Sequence, residues 1–439
     1  MNSRRSFLGR ALALGAGALS FPHFVAAESG DGSRSQPVAR RQANRQSIGG
    51  PPVSVITPDI PKLPYTMDGG VKVFHLVAEP VQRELMSGRV IDVWGYNGVS
   101  PGPTIEAYRG DRVRILLDNH LPEPTTMHWH GLEIPIHMDG MPYISQKPIA
   151  PGGRFVYEFS LDQDGTFFYH SHGAMQEMMG MIGMFILHPR QEYAPRVDHD
   201  FGIVLQEWAL LPNNSIPNTA SMEFNWLTLN GKVGPATTPL VVRQGNRVRI
   251  RMVNMGMDHH PIHLHGHTFV VTGSEAGRQP ESTWGPGNTV LVGVAQARDI
   301  EFVANNPGDW MIHCHLPHHM MNSMMDLLSE RAVSTTPLSQ KQAAAQMEVM
   351  MSQGQPMEMP PAGATAIATD AGKVPGFPQD GLMEMTMDQS AGKAPEFMEL
   401  PPGWSTGMQG MMTLLRIMPP EQYDRYLAAQ SYHNVGVAQ

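Results

Sequence analysis

The stretch WMIHCHLPHHMMNSMM, from Trp310 to Met325, holds the single cysteine of a 439-residue chain and surrounds it with imidazoles and thioethers. A lone cysteine closes no internal disulfide, and an inert buried thiol needs no such neighbours. Thiolate, imidazole and thioether together form the ligand set that suits copper. Three further clusters supply imidazoles: MHWHG (His128, His130), FYHSHG (His170, His172) and HHPIHLHGH (His260, His263, His265). In a strand, residues i and i+2 face one side and i+1 the other, so each His-x-His pair aims both rings at one metal cluster.

His313-Cys314-His315 adds a step to that logic. Two imidazoles point one way and the thiolate between them points the other, so a single strand joins two metal sites through a few bonds. A structural zinc site, closed by four ligands, needs no such link. The arrangement suits electron movement from a thiolate copper into a histidine-bound cluster. The thiolate site itself wants two histidines and a weak axial thioether. His319 and Met324 follow Cys314 at suitable loop spacing, and His260 comes from another strand. His259, His318, Met321 and Met325 compete for the same roles, and spacing leaves the choice open.

The elements that must position these residues are strands. From Val71 to about Pro189 the chain runs in short alternating segments (VKVFHLV, RVIDVWGY, DRVRILLDN, RFVYEFSL, GTFFYHSH) separated by Gly, Pro and Asn turns, the signature of an all-β sandwich or barrel. A second set (DFGIVLQEW, PLVVRQGNRVRIRMVN, HTFVVTG, NTVLVGV, RDIEFVAN, GDWMIHCH) runs to Ala332, and the pair GDRVRILLDN and GNRVRIRMVN points to an internal repeat of one β-domain. The expected organisation is a β-domain over 69–190, a second over 191–332, and a Met-rich, largely flexible C-terminal extension over 333–439. Within that extension the residues from Met408 to Gln430 predict a short helix broken at Pro419 and Pro420. At the other end, Ser3-Arg4-Arg5-Ser6-Phe7-Leu8 and a short apolar run closing at Val25, Ala26 and Ala27 read as a twin-arginine export signal over 1–27, too short and Gly-rich for a stable membrane anchor. Residues 28–68 read as a leader or linker.

Composition narrows the function. A net charge of -9 excludes a basic stripe for nucleic acid. Methionine is the outlier, at 33 copies. Thioethers favour soft Cu(I) and remain ligands in an oxidising compartment.

The four histidine clusters, in this order, resemble those of the multicopper oxidases, the laccase-like and copper-efflux oxidases. The resemblance covers both β-domains and implies cupredoxin-like Greek-key folds and four coppers per functional site. It implies that His260, Cys314, His319 and axial Met324 hold a type 1 copper. It places a type 2 copper on His128 and His263, and a type 3 pair on His130, His170, His172, His265, His313 and His315. It further implies a proton-relay role for Asp139, which follows the MHWHG cluster, while Met320 stands where relatives often carry an acidic residue after the last histidine.

Larger members have three cupredoxin domains, yet no whole domain fits between Pro189 and His260. Ser171 in FYHSHG stands where a second thiolate site would need cysteine. The chain therefore resembles the two-domain laccases, which implies a homotrimer whose trinuclear clusters lie between subunits. The expected reaction couples oxidation of Cu(I), or alternatively of phenols and aromatic amines, to reduction of O2 to water. A two-domain copper nitrite reductase would carry its thiolate copper in the first domain, and a non-enzymatic copper store would not need the retained cluster.

Overall fold

The computed structural model describes residues 50–173, 175–211, 214–320 and 394–437. The expected leader over 1–27, and the candidate ligands Met321, Met324 and Met325, lie outside the described residues. The first sandwich comprises β1 (Tyr65–Asp68), β2 (Val71–Met86), β3 (Arg89–Tyr96), β4 (Gly102–Tyr108), β5 (Arg112–Asn119), β6 (Met127–His130), β7 (Arg154–Ser160), β8 (Gly165–Ser171) and β9 (Ile182–His188). One sheet runs β1-β2-β5-β7 with β3 on β2, and the facing sheet runs β4-β9-β8-β6. The second sandwich comprises β10 (His199–Trp208), β11 (Trp226–Leu229), β12 (Leu240–Arg243), β13 (Arg247–Asn254), β14 (His260–Leu264), β15 (Phe269–Ser274), β16 (Gly277–Arg278), β17 (Pro286–Gly287), β18 (Thr289–Val292), β19 (Ala297–Val303), β20 (Gly308–Cys314) and β21 (Met412–Met418). Its sheets run β11-β10-β13-β19-β15-β16 and β12-β21-β20-β14-β18.

The repeat legible in GDRVRILLDN and GNRVRIRMVN is a repeat of topology. β5 and β13 each lie parallel to the first long strand of their domain and antiparallel to a later one. β9 and β21 each lie parallel to one strand and antiparallel to the strand that carries a His-x-His end. Buried branched side chains fill each sandwich, Phe74, Ile115 and Phe185 in the first and Ile250, Val292 and Ile300 in the second.

β21 corrects the expectation for the C-terminal residues. Met412–Met418 is a fully buried strand, and the helix that follows, α1, spans Pro420–Val437. The sequence MTLLRIM is mostly apolar and buries both faces, which a lone amphipathic helix could not do. Arg416 within it reaches Asp309 at 2.7 Å and donates to the carbonyls of Glu396 and Met398. Proline at the first helical position fits the start of α1, because its missing N–H would have had no partner there. The second sandwich is therefore not complete at Ala332.

Two features bind the sandwiches to each other. Val55 and Ile60, from the segment read as linker, pack with Phe168, Ile182, Met184, Val204 and Val253. The β2–β3 hairpin lays Leu85, Ile91 and Val93 against Trp208 and Trp226. Beside them a buried ionic network joins Arg249 to Glu192, Asp200 and Glu301, and Arg251 to Asp200. Arg251 also donates to Thr166 of β8, whose hydroxyl donates to Asp299 at 2.6 Å. Burial alone would raise the Glu301 carboxyl, but Arg249 and Arg278 outweigh it and hold the group at about 2.

Because β21 fills the slot between β12 and β20, a chain ended at Ala332 leaves both without their shared partner. Such a chain is expected to lose more than about 5 kcal/mol, most of the stability of an ordinary domain. A chain with 321–393 replaced by a flexible linker keeps its melting temperature. Calorimetry of both checks this, and a truncated chain as stable as the full one would sink it.

Candidate metal centre

Three buried donors converge where β14 and β20 end. Cys314 Sγ lies 3.3 Å from His319 Nδ1 and 3.8 Å from His260 Nδ1, and the two imidazole nitrogens lie 3.0 Å apart. Strand geometry delivers two of them: β14 pairs with β20 so that Ile262 sits opposite Cys314, and His260 opens β14 two residues earlier. A short 3-10 turn over Pro317–Met320 brings back His319. The far nitrogen of His260 meets the buried carboxylate of Glu207 at 3.1 Å, and Glu207 is held by the amides of Met257 and Asp258. That carboxylate fixes the tautomer and aims Nδ1 at the sulfur. Burial pushes the Cys314 thiol up to about 12, so the thiolate needs a bound cation to form at neutral pH. The donors, their burial and their mutual distances fit a copper ion.

The two histidine competitors fall away by position, while Met321 and Met325 lie outside the described residues. His259 is exposed and its Nδ1 accepts the Val294 amide, and His318 is exposed.

The described residues offer a second candidate for the axial thioether. Met324 lies outside the described residues, whereas Met411 is fully buried in the same core cluster as Cys314. The Cys314 amide donates to the Met411 carbonyl at 3.1 Å, and the Met411 amide donates to the His319 carbonyl at 2.9 Å. His313 pairs with Met412 across the β20–β21 ladder, so Met411 is opposite Cys314 and shares its face. Gly410 makes the approach possible: a Cβ there would stand 2.3 Å from the His319 carbonyl oxygen. The signal for Met411 was present as Gly-Met-Met before an apolar run, but it lies far along the chain from Cys314.

Two four-histidine sets occupy different domains. In the first, His128, His130 and His170 offer nitrogens within 4.8 Å of one another, and His172 is in ring contact with His128, edge-on, and with His170, tilted. In the second, His265 and His313 approach to 3.0 Å between their Nε2 atoms, with His263 and His315 in ring contact with His313. His128, His263, His170 and His313 each turn Nδ1 to a backbone carbonyl, of Asp139, Asn288, Ser171 and Cys314 respectively. Each thereby keeps Nε2 as a lone-pair donor. Burial, then the neighbouring rings, hold His130 down at about 4 and lower His128, His265 and His313, which keeps the imidazoles neutral as ligands must be. Among the described residues no ring contact joins one histidine set to the other, while His130 stacks on Phe168. His172 and His315 are exposed, so each set is open on one side.

Asp139 lies beside the first set. Its carboxylate stands 3.4 Å from His128 Nδ1, and its own carbonyl accepts from that nitrogen at 2.8 Å. The methionines after FYHSHG divide: Met181 and Met184 are core, while Met175 is exposed.

Sequence signatures described as Multicopper oxidase match residues 78–192 and 210–333, together more than half of the chain. The chain belongs to the multicopper oxidase family, an oxidoreductase family with copper as cofactor at type 1, type 2 and type 3 sites. It is 36% identical over 123 residues to copper resistance protein A of Pseudomonas syringae pv. tomato, covering 28% of this chain and 20% of that one. It is 31% identical over 240 residues to laccase-2 of Botryotinia fuckeliana, covering 49% and 40%. The chain thus spans a fifth to two fifths of the length of these relatives. Among solved structures it resembles the blue copper oxidase from Nitrosomonas europaea, at a TM-score of 0.53 and 31% identity over 56% of this chain and 80% of that one. The sandwiches are cupredoxin folds.

Replacing Met411 with Leu is expected to raise the reduction potential of the thiolate centre and shift its visible absorption, because the axial ligand tunes both. Replacing Met324 with Leu leaves both unchanged. Redox titration of the two copper-loaded variants checks this, and the opposite pattern would restore Met324 as the ligand.

Proposed function

We propose that the protein is a multicopper oxidase of the two-domain kind whose electron donor is Cu(I). In this reading His260, Cys314, His319 and Met411 hold type 1 copper. His128 of one subunit and His263 of its neighbour hold type 2 copper. His130, His170 and His172 of the one, with His265, His313 and His315 of the other, hold the type 3 pair. Bound copper supplies one-electron oxidation of the donor at the first site and four-electron reduction of O2 to water at the second. The observation that carries the reading is the pair of open, separate histidine sets. Each has half the imidazoles of a trinuclear site, and a head-to-tail ring of three subunits brings unlike halves together. β20 serves both sites, with Cys314 facing one and His313 the other. Asp139, at the water-accessible edge of His128, is placed to pass protons inward. The twin-arginine segment supports export of the folded protein, and among the described residues no helix is long and apolar enough to cross a membrane.

The ring has a direct test. His130→Ala and His313→Ala subunits are each inactive alone, but mixed rings recover intact clusters wherever a good first domain meets a good second one. Random mixing gives one half times one half, about a quarter of the sites. Oxygen consumption that stays at background in the mixture would refute a shared cluster.

Cu(I) as donor is supported by a methionine cluster on the outer face of the β20–β21 pair. Met408 and Met412 are buried there, with Met311, Met320, Leu400 and Trp404 packed around them. Four of its seven members are thioethers, against two of the 26 members of the second-domain core, so packing alone does not account for the choice. Met320 follows His319 and Met412 follows Met411, which sets the cluster one residue from two type 1 ligands. The chain leaves this place at Met320 and returns at Gly410, and residues 321–409 contain 13 of the 33 methionines. A Met311→Leu/Met408→Leu enzyme is expected to consume oxygen roughly tenfold more slowly with Cu(I) and at an unchanged rate with a phenol, volume being conserved. In the same assay Asp139→Asn slows both donors alike, by about a hundredfold. Equal loss with both donors in the methionine variant would favour phenol oxidation.

A further inference from the structure

The first domain contains the outline of the thiolate copper site with no thiol in it. Thr125-x-x-His128-x-His130 repeats His260-x-x-His263-x-His265, and His170-Ser171-His172 with Gln176 repeats His313-Cys314-His315 with His319. The backbone repeats as well. The Ser171 amide donates to the Met181 carbonyl at 3.0 Å and the Met181 amide donates to the Gln176 carbonyl at 3.2 Å, matching the two bonds that join Met411 to Cys314 and His319. Thr125, Ser171, Gln176 and Met181 thus stand where His260, Cys314, His319 and Met411 stand in the second domain.

What fills the position is a closed hydrogen-bond network. The Gln176 carbonyl oxygen accepts from the Ser171 hydroxyl at 2.5 Å and from the Thr125 hydroxyl at 2.7 Å. Its amide nitrogen donates to the Glu123 carboxylate at 2.7 Å and the Pro124 carbonyl at 2.9 Å. All four hydrogen-bonding positions of the side-chain amide are used. Thr125, Ser171 and Gln176 are each no more than 2% exposed. Ser171 also accepts the Gly173 amide, and Gly173 leaves room for Gln176, since a Cβ there would stand 2.4 Å from its amide carbon. The network ties the end of β6, through Thr125, to the end of β8, through Ser171, and Ser171 sits between two histidines of the first set.

We propose that Thr125, Ser171 and Gln176 are positioning residues for the trinuclear centre: their hydrogen bonds hold the His170–His172 strand end as a bound copper holds His313–His315 in the other half. The inference rests on the reading that the first histidine set binds copper. Neutral hydroxyl and amide groups supply no thiolate and no charge, so the network cross-links the two strands without a second redox centre to compete for electrons. In the second domain the same cross-link is a metal that must also cycle between oxidation states.

The test compares two absorptions in the copper-loaded trimer. Gln176→Leu removes the acceptor of both hydroxyls, and copper affinity at the histidine cluster is expected to fall roughly 10- to 100-fold, as for other partners that orient ligands. The near-ultraviolet absorption of the type 3 pair weakens with it, while the visible absorption of the Cys314 site stays at full strength. A Gln176→Leu protein with full copper content and both absorptions intact overturns the proposal. A wild-type protein with no type 3 absorption refutes the copper reading of the first histidine set instead. Should Gln176→Leu fail to fold, the Thr125→His/Ser171→Cys/Gln176→His chain decides. If the outline is a true copper geometry, that chain takes up one additional copper from Cu(II) solution and doubles the visible absorption. A folded triple variant with no added copper overturns the proposal.

Discussion

Two backbone hydrogen bonds at Met411 fasten β21 to the end of β20 that carries the thiol. One ties its carbonyl to the Cys314 amide and the other ties its amide to the His319 carbonyl, so the residue that shares a face with the thiol is fixed by the strands that carry the thiol. Side-chain thioether bonds to copper are weak and long, and a weak ligand cannot position itself. The ladder does so instead. Once β21 pairs with β20, Met411 lies opposite Cys314 by strand register alone.

That constraint explains why the chain must come back. In the first domain the turn from Gln176 to Met181 is five residues, and β9 follows directly. In the second, the equivalent turn is opened at Met320 and closed at Gly410, with the methionine-rich residues between. An insertion at this point is tolerable because the cost of closing a loop grows only slowly with its length. Its described ends, Met320 and Gly410, adjoin His319 and Met411, so the insertion opens and closes beside the thiol centre.

Much of the site was legible in the sequence because its signals are local. His-x-His spacing reports two rings on one face of a strand whatever surrounds it, and His313-Cys314-His315 reports opposite faces in three residues. His319 was legible because a short turn links it to Cys314. Met411, the axial ligand proposed here, was not, because its partner is 97 positions away and strand pairing rather than spacing brings it to Cys314. Residues 408–430 misled for a related reason. MTLLRIM has no period that separates a buried strand from a buried helix, and the surrounding Met, Pro and Gly residues suggested no partner sheet. The repeat of GDRVRILLDN and GNRVRIRMVN holds in the topology, and it extends by spacing and backbone hydrogen bonds to Thr125, Ser171 and Gln176, whose identities differ wholly from His260, Cys314 and His319.

Neutral imidazoles and a protonated thiol make the unloaded site tolerable to the fold. Each four-histidine set would repel itself if its rings were charged, yet burial and then ring proximity lower the pKa of His128, His130, His265 and His313, and burial raises that of Cys314. Only His170 goes the other way: burial would lower it, but the Glu177 carboxylate 3.3 Å from its Nδ1 outweighs burial and raises it. A cation entering the first set therefore meets lone pairs rather than charges, with one carboxylate close behind them. The second set has its anion on the other side of the strand, in Cys314 once the thiol ionises. In the shared-cluster reading proposed above, the first set brings Asp139 and Glu177 and the second brings the covalent path to the thiolate. On that reading protons and electrons approach the cluster from different subunits, and neither subunit alone completes the reaction.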